Sequence, residues 1–173
     1  MRYLERITNV AIIVAVVVFL AVVARNQLFP RKVVRPTLKT VPIGSTITLP
    51  GIHFSAQRNS LILGISTTCH FCQDSLPFYK RLVSELHGQM DIIAVLPQSQ
   101  AEAEAFVKAG GLTGTQVISA NLGKIGIYAT PTLLLVDNKG KVKSAWVGEL
   151  DSLRQQQIIS ALLPGGSSAV PQG

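Results

Sequence analysis

Cysteine is nearly absent from this sequence: two residues in 173, only three positions apart. A framework of stapling disulfides needs several separated pairs, so the fold has to rest on a hydrophobic core, for which the chain is long enough. Methionine is as scarce, with two residues, and histidine is confined to three scattered positions, His53, His70 and His87. That leaves no Met-rich or His-rich tract of the kind that gathers soft metals. Charged side chains make up 14% of the chain, and the net charge of +7 is unevenly spread. Residues 1–39 carry seven Lys and Arg against one acid, Glu5, which leaves nine basic and eight acidic groups in residues 40–173. The folded part therefore lacks the basic face that nucleic acid demands. No internal repeat is present.

What the chain has in plenty is apolar residues, 47% of the total, and they crowd its start. Residues 7–24 form an apolar run broken only by Thr8 and Asn9 and bounded by Arg6 and Arg25. A helix of that length rises about 27 Å at ~1.5 Å per residue, against a hydrocarbon core of about 30 Å. Residues 1–24 thus read as a transmembrane anchor or an export signal. Val22-Val23-Ala24 offers a small-residue cleavage site, but the run exceeds a signal's apolar region of about 7–15 residues, which favours the anchor. A basic amino-terminal flank ahead of an apolar segment is an export pattern, although the basic residues that follow the run argue for the opposite orientation. The expectation is a single-pass membrane protein with its large domain on the extracytoplasmic side. Residues 25–44 read as a semi-rigid linker, held extended by Pro30, Pro36 and Pro42 and basic enough to meet lipid head groups. Residues 164–173 are Gly, Ser and Pro without apolar periodicity, the composition of a disordered tail.

Residues 45–163 alternate between strand and helix patterns. Residues 45–49 and 51–54 suggest a short hairpin or paired edge segments. Residues 60–66 form a short apolar run suited to a buried central strand. An amphipathic helix follows, with Leu76, Tyr79, Leu82, Val83 and Leu86 at helical spacing, and then a buried strand over 91–96. A strand–helix–strand crossover implies parallel neighbours. A helix over 101–109 and a strand near 116–119 continue the alternation. Residues 132–136 and 141–147, joined by the turn Asp137-Asn138-Lys139-Gly140, form an antiparallel hairpin. Ser152 is placed to cap a last helix running to Leu163.

The two cysteines lie where the first buried strand ends and the first helix begins, in Thr68-Cys69-His70-Phe71-Cys72. Unpaired backbone N–H groups at a helix start favour an anion, so Cys69 is expected as the exposed nucleophile, with protonated His70 adding to the effect. Two intervening residues bring Cys72 round one turn, where it can attack a mixed disulfide at Cys69 as the buried resolving thiol. Half of a metal site is the rival reading. Zinc would need two further ligands, and His53, His70 and His87 form no second paired motif, so no metal is expected. An inert structural bridge across so short a loop would gain little chain entropy. Pro77 sits inside the helix pattern, where it should kink or break the helix. Pro131, in Ala129-Thr130-Pro131-Thr132, stands directly before a buried strand, a place for a cis turn or for an ordinary trans proline at a strand start.

The ordered set of Cys69-x-x-Cys72, Pro77, Gly126-Ile127-Tyr128-Ala129-Thr130-Pro131-Thr132, Asp137, Lys139-Gly140 and Gly148-Glu149-Leu150 resembles the thioredoxin superfamily. Within it, the set resembles the membrane-anchored TlpA/ResA-like thiol-disulfide oxidoreductases. The resemblance runs from about Gly44 to Leu163. It implies an α/β thioredoxin-like fold, a central mixed sheet flanked by helices, carried here behind a transmembrane helix. It also implies that Pro131 is cis and faces the dithiol, and that the backbone of Thr130 pairs with an extended substrate segment. The implied activity is thiol–disulfide exchange with protein thiols and disulfides, as reductase rather than oxidase, with no cofactor and with a transmembrane electron donor. The family's targets include haem-attachment cysteines of cytochromes c and other exported thiols.

The departures are specific. Thr68 stands where many relatives have Trp, and His70-Phe71 replace the usual proline or glycine, so these two residues tune the potential. The strand over 60–66 has no Asp or Glu where some thioredoxins keep a buried proton acceptor. Asp74 and Glu85 on the next helix are substitutes by position, though they read better as solvated face residues. Trp146 reads as core. Copper or other metal handling through the cysteines and a histidine is the alternative function. Peroxidase chemistry finds no peroxide-activating arginine near the motif.

Overall fold

The computed structural model describes residues 12–19 and 41–163. They belong to two compact units divided between Thr37 and Leu38. In the first, residues 12–19 form a helix, α1, whose large apolar side chains from Ile12 to Phe19 are all exposed. Among the described residues no helix is long and apolar enough to cross a membrane. The remainder of the expected anchor, nearly all of the basic linker and the tail over 164–173 lie outside the described residues.

The second unit is built on a five-stranded sheet in the order β3-β2-β1-β4-β5. Its centre is β1 (Ser60–Gly64), buried along its whole length because it has neighbours on both sides and cover on both faces. β2 (Asp91–Leu96) pairs parallel to β1, and β3 (Gln116–Ser119) parallel to β2. β4 (Thr132–Val136) returns antiparallel on the other side of β1, with Gly64 opposite Thr132, and β5 (Val142–Val147) closes the hairpin. The turn between them is held by the Asp137 carboxylate, which accepts the N–H groups of Lys139 and Lys141, both at 2.9 Å. Gly140 completes it at φ 74°, with no room for a side chain: a Cβ would come within 2.5 Å of the Ile47 carbonyl oxygen.

The dithiol segment opens as a short helix, α2 (His70–Asp74), broken at Ser75 before α3 (Leu76–Leu86). Pro77 lies in the first turn of α3, where no intrahelical N–H is lost, so the expected break falls just upstream of it. α4 (Gln100–Ala109) starts with a capping box between Ser99 and Glu102, and α5 (Ser152–Leu162) ends the domain. Because β1, β2 and β3 step across the sheet in one direction, right-handed crossovers bring α3 and α4 to the same face. There they share a core with α5, around Leu61, Leu63, Leu82, Ala94, Val107 and Ile159. The alternate residues, Ile62, Ile93, Val95 and Leu134, point to the opposite face and are covered by Val41, Ile47, Leu49, Leu122 and Ile127. Trp146 is buried in the first of these cores, as the sequence suggested.

Two expectations need correction. The hairpin over 45–54 does not form; the segment makes one antiparallel bridge, Thr46 to Lys141, beside β5. Its apolar residues Ile47 and Leu49 are used to cover the sheet instead of pairing with each other. The cap of α5 is Asp151, whose carboxylate accepts the Arg154 N–H at 2.8 Å, and Ser152 is the first helical residue. A carboxylate at that position also complements the helix dipole, which a serine does not.

Candidate active site

After Gly64 the chain leaves the ladder, its last sheet bond being Ile65 N–H to the Val95 carbonyl at 3.1 Å. It turns through Ser66, Thr67 and Thr68 into Cys69, which is the N-cap of α2. The Cys69 sulfur accepts the Cys72 N–H at 3.2 Å and lies 3.5 Å from the Thr130 carbonyl oxygen, to which its thiol donates. Thr130 is distant in sequence, but β4 runs antiparallel to β1, so the start of β4 arrives at the end of β1. The Thr130–Pro131 peptide bond is cis, and Pro131 is buried at that junction.

Both thiols are free. Their surroundings differ sharply. Cys69 is partly exposed, whereas Cys72 is wholly buried against the helical face of the sheet. Burial, then its side-chain hydrogen bond with Cys69, push the Cys72 thiol from its ordinary 9.0 up to about 12. Burial likewise raises the phenol of Tyr79 in α3. His70 and Phe71, which the sequence reading expected to tune the potential, face water. His70 pairs with Asp74 at 3.1 Å on the surface of α2, and Phe71 is 52% exposed beside Cys69. Tyr128, ahead of Thr130, is exposed as well.

The structure thus brings Cys69, Cys72, Thr130 and Pro131 together, with His70 and Phe71 on the rim. Asp74 and Glu85 stay at the surface, engaged with His70 and Arg81 respectively. Neither acid reaches the buried thiol. Among the described residues no three His, Cys, Asp or Glu side chains gather where a metal ion could sit. The sequence reading missed Ser66, Gln73 and Gln98. The Gln98 side chain donates to Ser66 Oγ at 2.9 Å, and Gln73 donates to the Thr67 carbonyl at 3.0 Å, so both brace the turn before Cys69. An isolated glutamine in a loop carries no pattern, and only the crossover geometry reveals it.

No family model matches the chain, and no curated protein matches it. Solved structures do. The exposed lipoprotein thioredoxin of Streptococcus pneumoniae matches with TM-score 0.51 and 19% identity, over 62% of this chain and 84% of that one. A thiol-disulfide isomerase from Corynebacterium glutamicum matches with TM-score 0.52 and 15% identity, over 73% and 94%. The second unit has the thioredoxin fold. A thioredoxin family thiol:disulfide interchange protein from Chlorobium tepidum is similar too, with TM-score 0.50 and 18% identity over 62% and 82%. The thioredoxin fold accounts for the sheet order, and the paired cysteines sit in it at the head of the first helix after β1.

Proposed function

We propose that this protein is a membrane-tethered, extracytoplasmic thiol-disulfide oxidoreductase that acts on protein thiols and disulfides through Cys69 and Cys72. The observation that carries the reading is the asymmetry of the pair: one sulfur reaches the surface beside Thr130, while its partner, one turn away, is buried and held neutral. In the reducing direction Cys69 attacks a substrate disulfide, forms a new S–S bond, and releases one substrate sulfur as a thiol. Cys72 then gives up its proton and attacks Cys69, and the second substrate thiol departs. Two electrons and two protons pass from the dithiol to the substrate. A transmembrane donor of two electrons would restore it. In this reading Thr130 and Pro131 bind the substrate beside Cys69, the main chain of Thr130 pairing with an extended segment, which the short distance from Cys69 to the Thr130 carbonyl supports. The similar structures include a thiol-disulfide isomerase and an interchange protein, which supports the same chemistry. The apolar run over 7–24 and its basic flank support the tether and contact with lipid.

The reading is tested by trapping. Cys72→Ser in membranes should accumulate a mixed disulfide on Cys69, visible as a reductant-sensitive band on a non-reducing gel. Cys69→Ser should give none. Equal trapping by the two variants would refute the assigned roles.

A further inference from the structure

The turn that carries Cys69 is outside the sheet, so something other than the ladder has to hold it. Thr67 is gripped at both ends of its peptide: Gln98 Oε1 accepts its N–H at 3.4 Å, and Gln73 donates to its carbonyl at 3.0 Å. The same Gln98 amide donates to Ser66 Oγ at 2.9 Å. Ser66 Oγ in turn accepts the Thr68 N–H at 3.4 Å and stands 3.1 Å from the Thr68 hydroxyl. Finally the Ser66 carbonyl accepts the Cys69 N–H at 3.2 Å. Gln98 is itself anchored from the next strand, where Ser119 Oγ donates to its carbonyl at 2.5 Å. The two contacts at 3.4 Å are weak one by one, and the Gln98–Ser66 bond is the strong link.

We propose that Gln98 is a positioning residue for Cys69, tying the turn over 66–69 to the loop that follows β2; this rests on the redox reading above. The Cys69 sulfur has to satisfy two fixed neighbours on different elements, the Cys72 N–H on α2 and the Thr130 carbonyl before β4. A displacement of the turn by about 1 Å is enough to lose one of them. The bond to the Thr130 carbonyl favours the reduced state, because a thiol can donate to it and a disulfide sulfur, which carries no proton, cannot. Loosening the clamp removes that preference and shifts the pair toward its disulfide.

The test is an equilibrium titration of the full-length protein in detergent with glutathione, in which oxidised glutathione converts the dithiol to the disulfide and leaves two reduced glutathiones. Gln98→Met keeps the side chain's length without its hydrogen bonds. It should raise the oxidised fraction through an equilibrium constant about threefold larger than wild type. Ser66→Ala should shift the constant in the same direction, and the double variant should shift it no further than the larger single change. An unchanged constant in Gln98→Met, with only a lower melting temperature, overturns the proposal. If Gln98→Met does not fold, Ser66→Ala alone decides by the same criterion. Wild-type protein that exchanges nothing with glutathione overturns the redox reading itself and is distinguishable from the failure of the clamp alone.

Discussion

Cys72 and Tyr79 are both neutral acids kept in an apolar core, and burial raises both of their pKa values, Cys72 to about 12. The consequence for stability has a definite sign. In the unfolded chain these groups ionise from their ordinary values of 9.0 and 10.0 upward, while in the folded chain they keep their protons. Above pH ~9 the unfolded state therefore binds fewer protons than the folded one, and stability falls as pH rises. The fall is about 1.4 kcal/mol per pH unit for each group, starting with Cys72 and joined by Tyr79 above pH ~10. Urea unfolding between pH 7 and pH 11 measures it. Cys72→Ala should flatten the section between pH 9 and 10 and leave the later one. Flat stability up to pH 11 in the wild type would show that neither proton is retained. At this scale the sequence was informative about Cys69 and Cys72, because spacing within one turn is a local property. It was silent about Gln98 and Ser66, which lie 32 residues apart and meet only across a parallel crossover.

Among the elements, β3 is the outermost strand on its side of the sheet and presents unpaired main-chain groups. The side chain of Gln100 occupies that edge: it donates to the Val117 carbonyl and accepts the Ser119 N–H, both at 3.0 Å. One amide thus imitates a stretch of neighbouring strand, which is a way to blunt an edge against pairing with another chain. Gln100→Ala should speed hydrogen exchange of the Ser119 amide about fivefold, the effect of losing a bond worth ~1 kcal/mol. Measurement by amide exchange at neutral pH would check it, and protection equal to wild type would mean that water serves the edge equally well. The strands and helices themselves were legible because each carries a strong period. The buried runs became β1 and β2, and the apolar stripe from Leu76 to Leu86 became α3. The segment over 45–54 misled because alternation marks a strand without naming its partner. Its single bridge to Lys141 depends on the β4–β5 turn, some ninety residues later. Ser152 misled for a different reason, since Asp151 beside it is an equally good cap by composition and only the backbone decides.

On the scale of the whole molecule, both cores are built, among the described residues, from side chains between Val41 and Leu163. A chain shortened to residues 41–163 should therefore melt cooperatively and exchange disulfides with glutathione at a rate within about twofold of the full chain. Circular dichroism and a thiol assay test the two halves of that statement. A non-cooperative melt would mean that the preceding residues contribute to the fold. In composition the apolar run and the basic residues stop well before the strand–helix alternation begins, and the contacts divide the chain between Thr37 and Leu38. Which face of the sheet each helix covers was not written in any local pattern; it follows from the direction in which successive strands are added.

The antiparallel return of β4 beside β1 has a consequence for the order of assembly. During synthesis Cys69 and Cys72 leave the ribosome some sixty residues before Thr130 does, and β4 cannot align until still later. Throughout that interval the two sulfurs share a short peptide but lack the Thr130 carbonyl and Pro131 beside them. The geometry around Cys69 is complete only with the last hairpin, so the dithiol is the first part of the site to be made and the last to be framed.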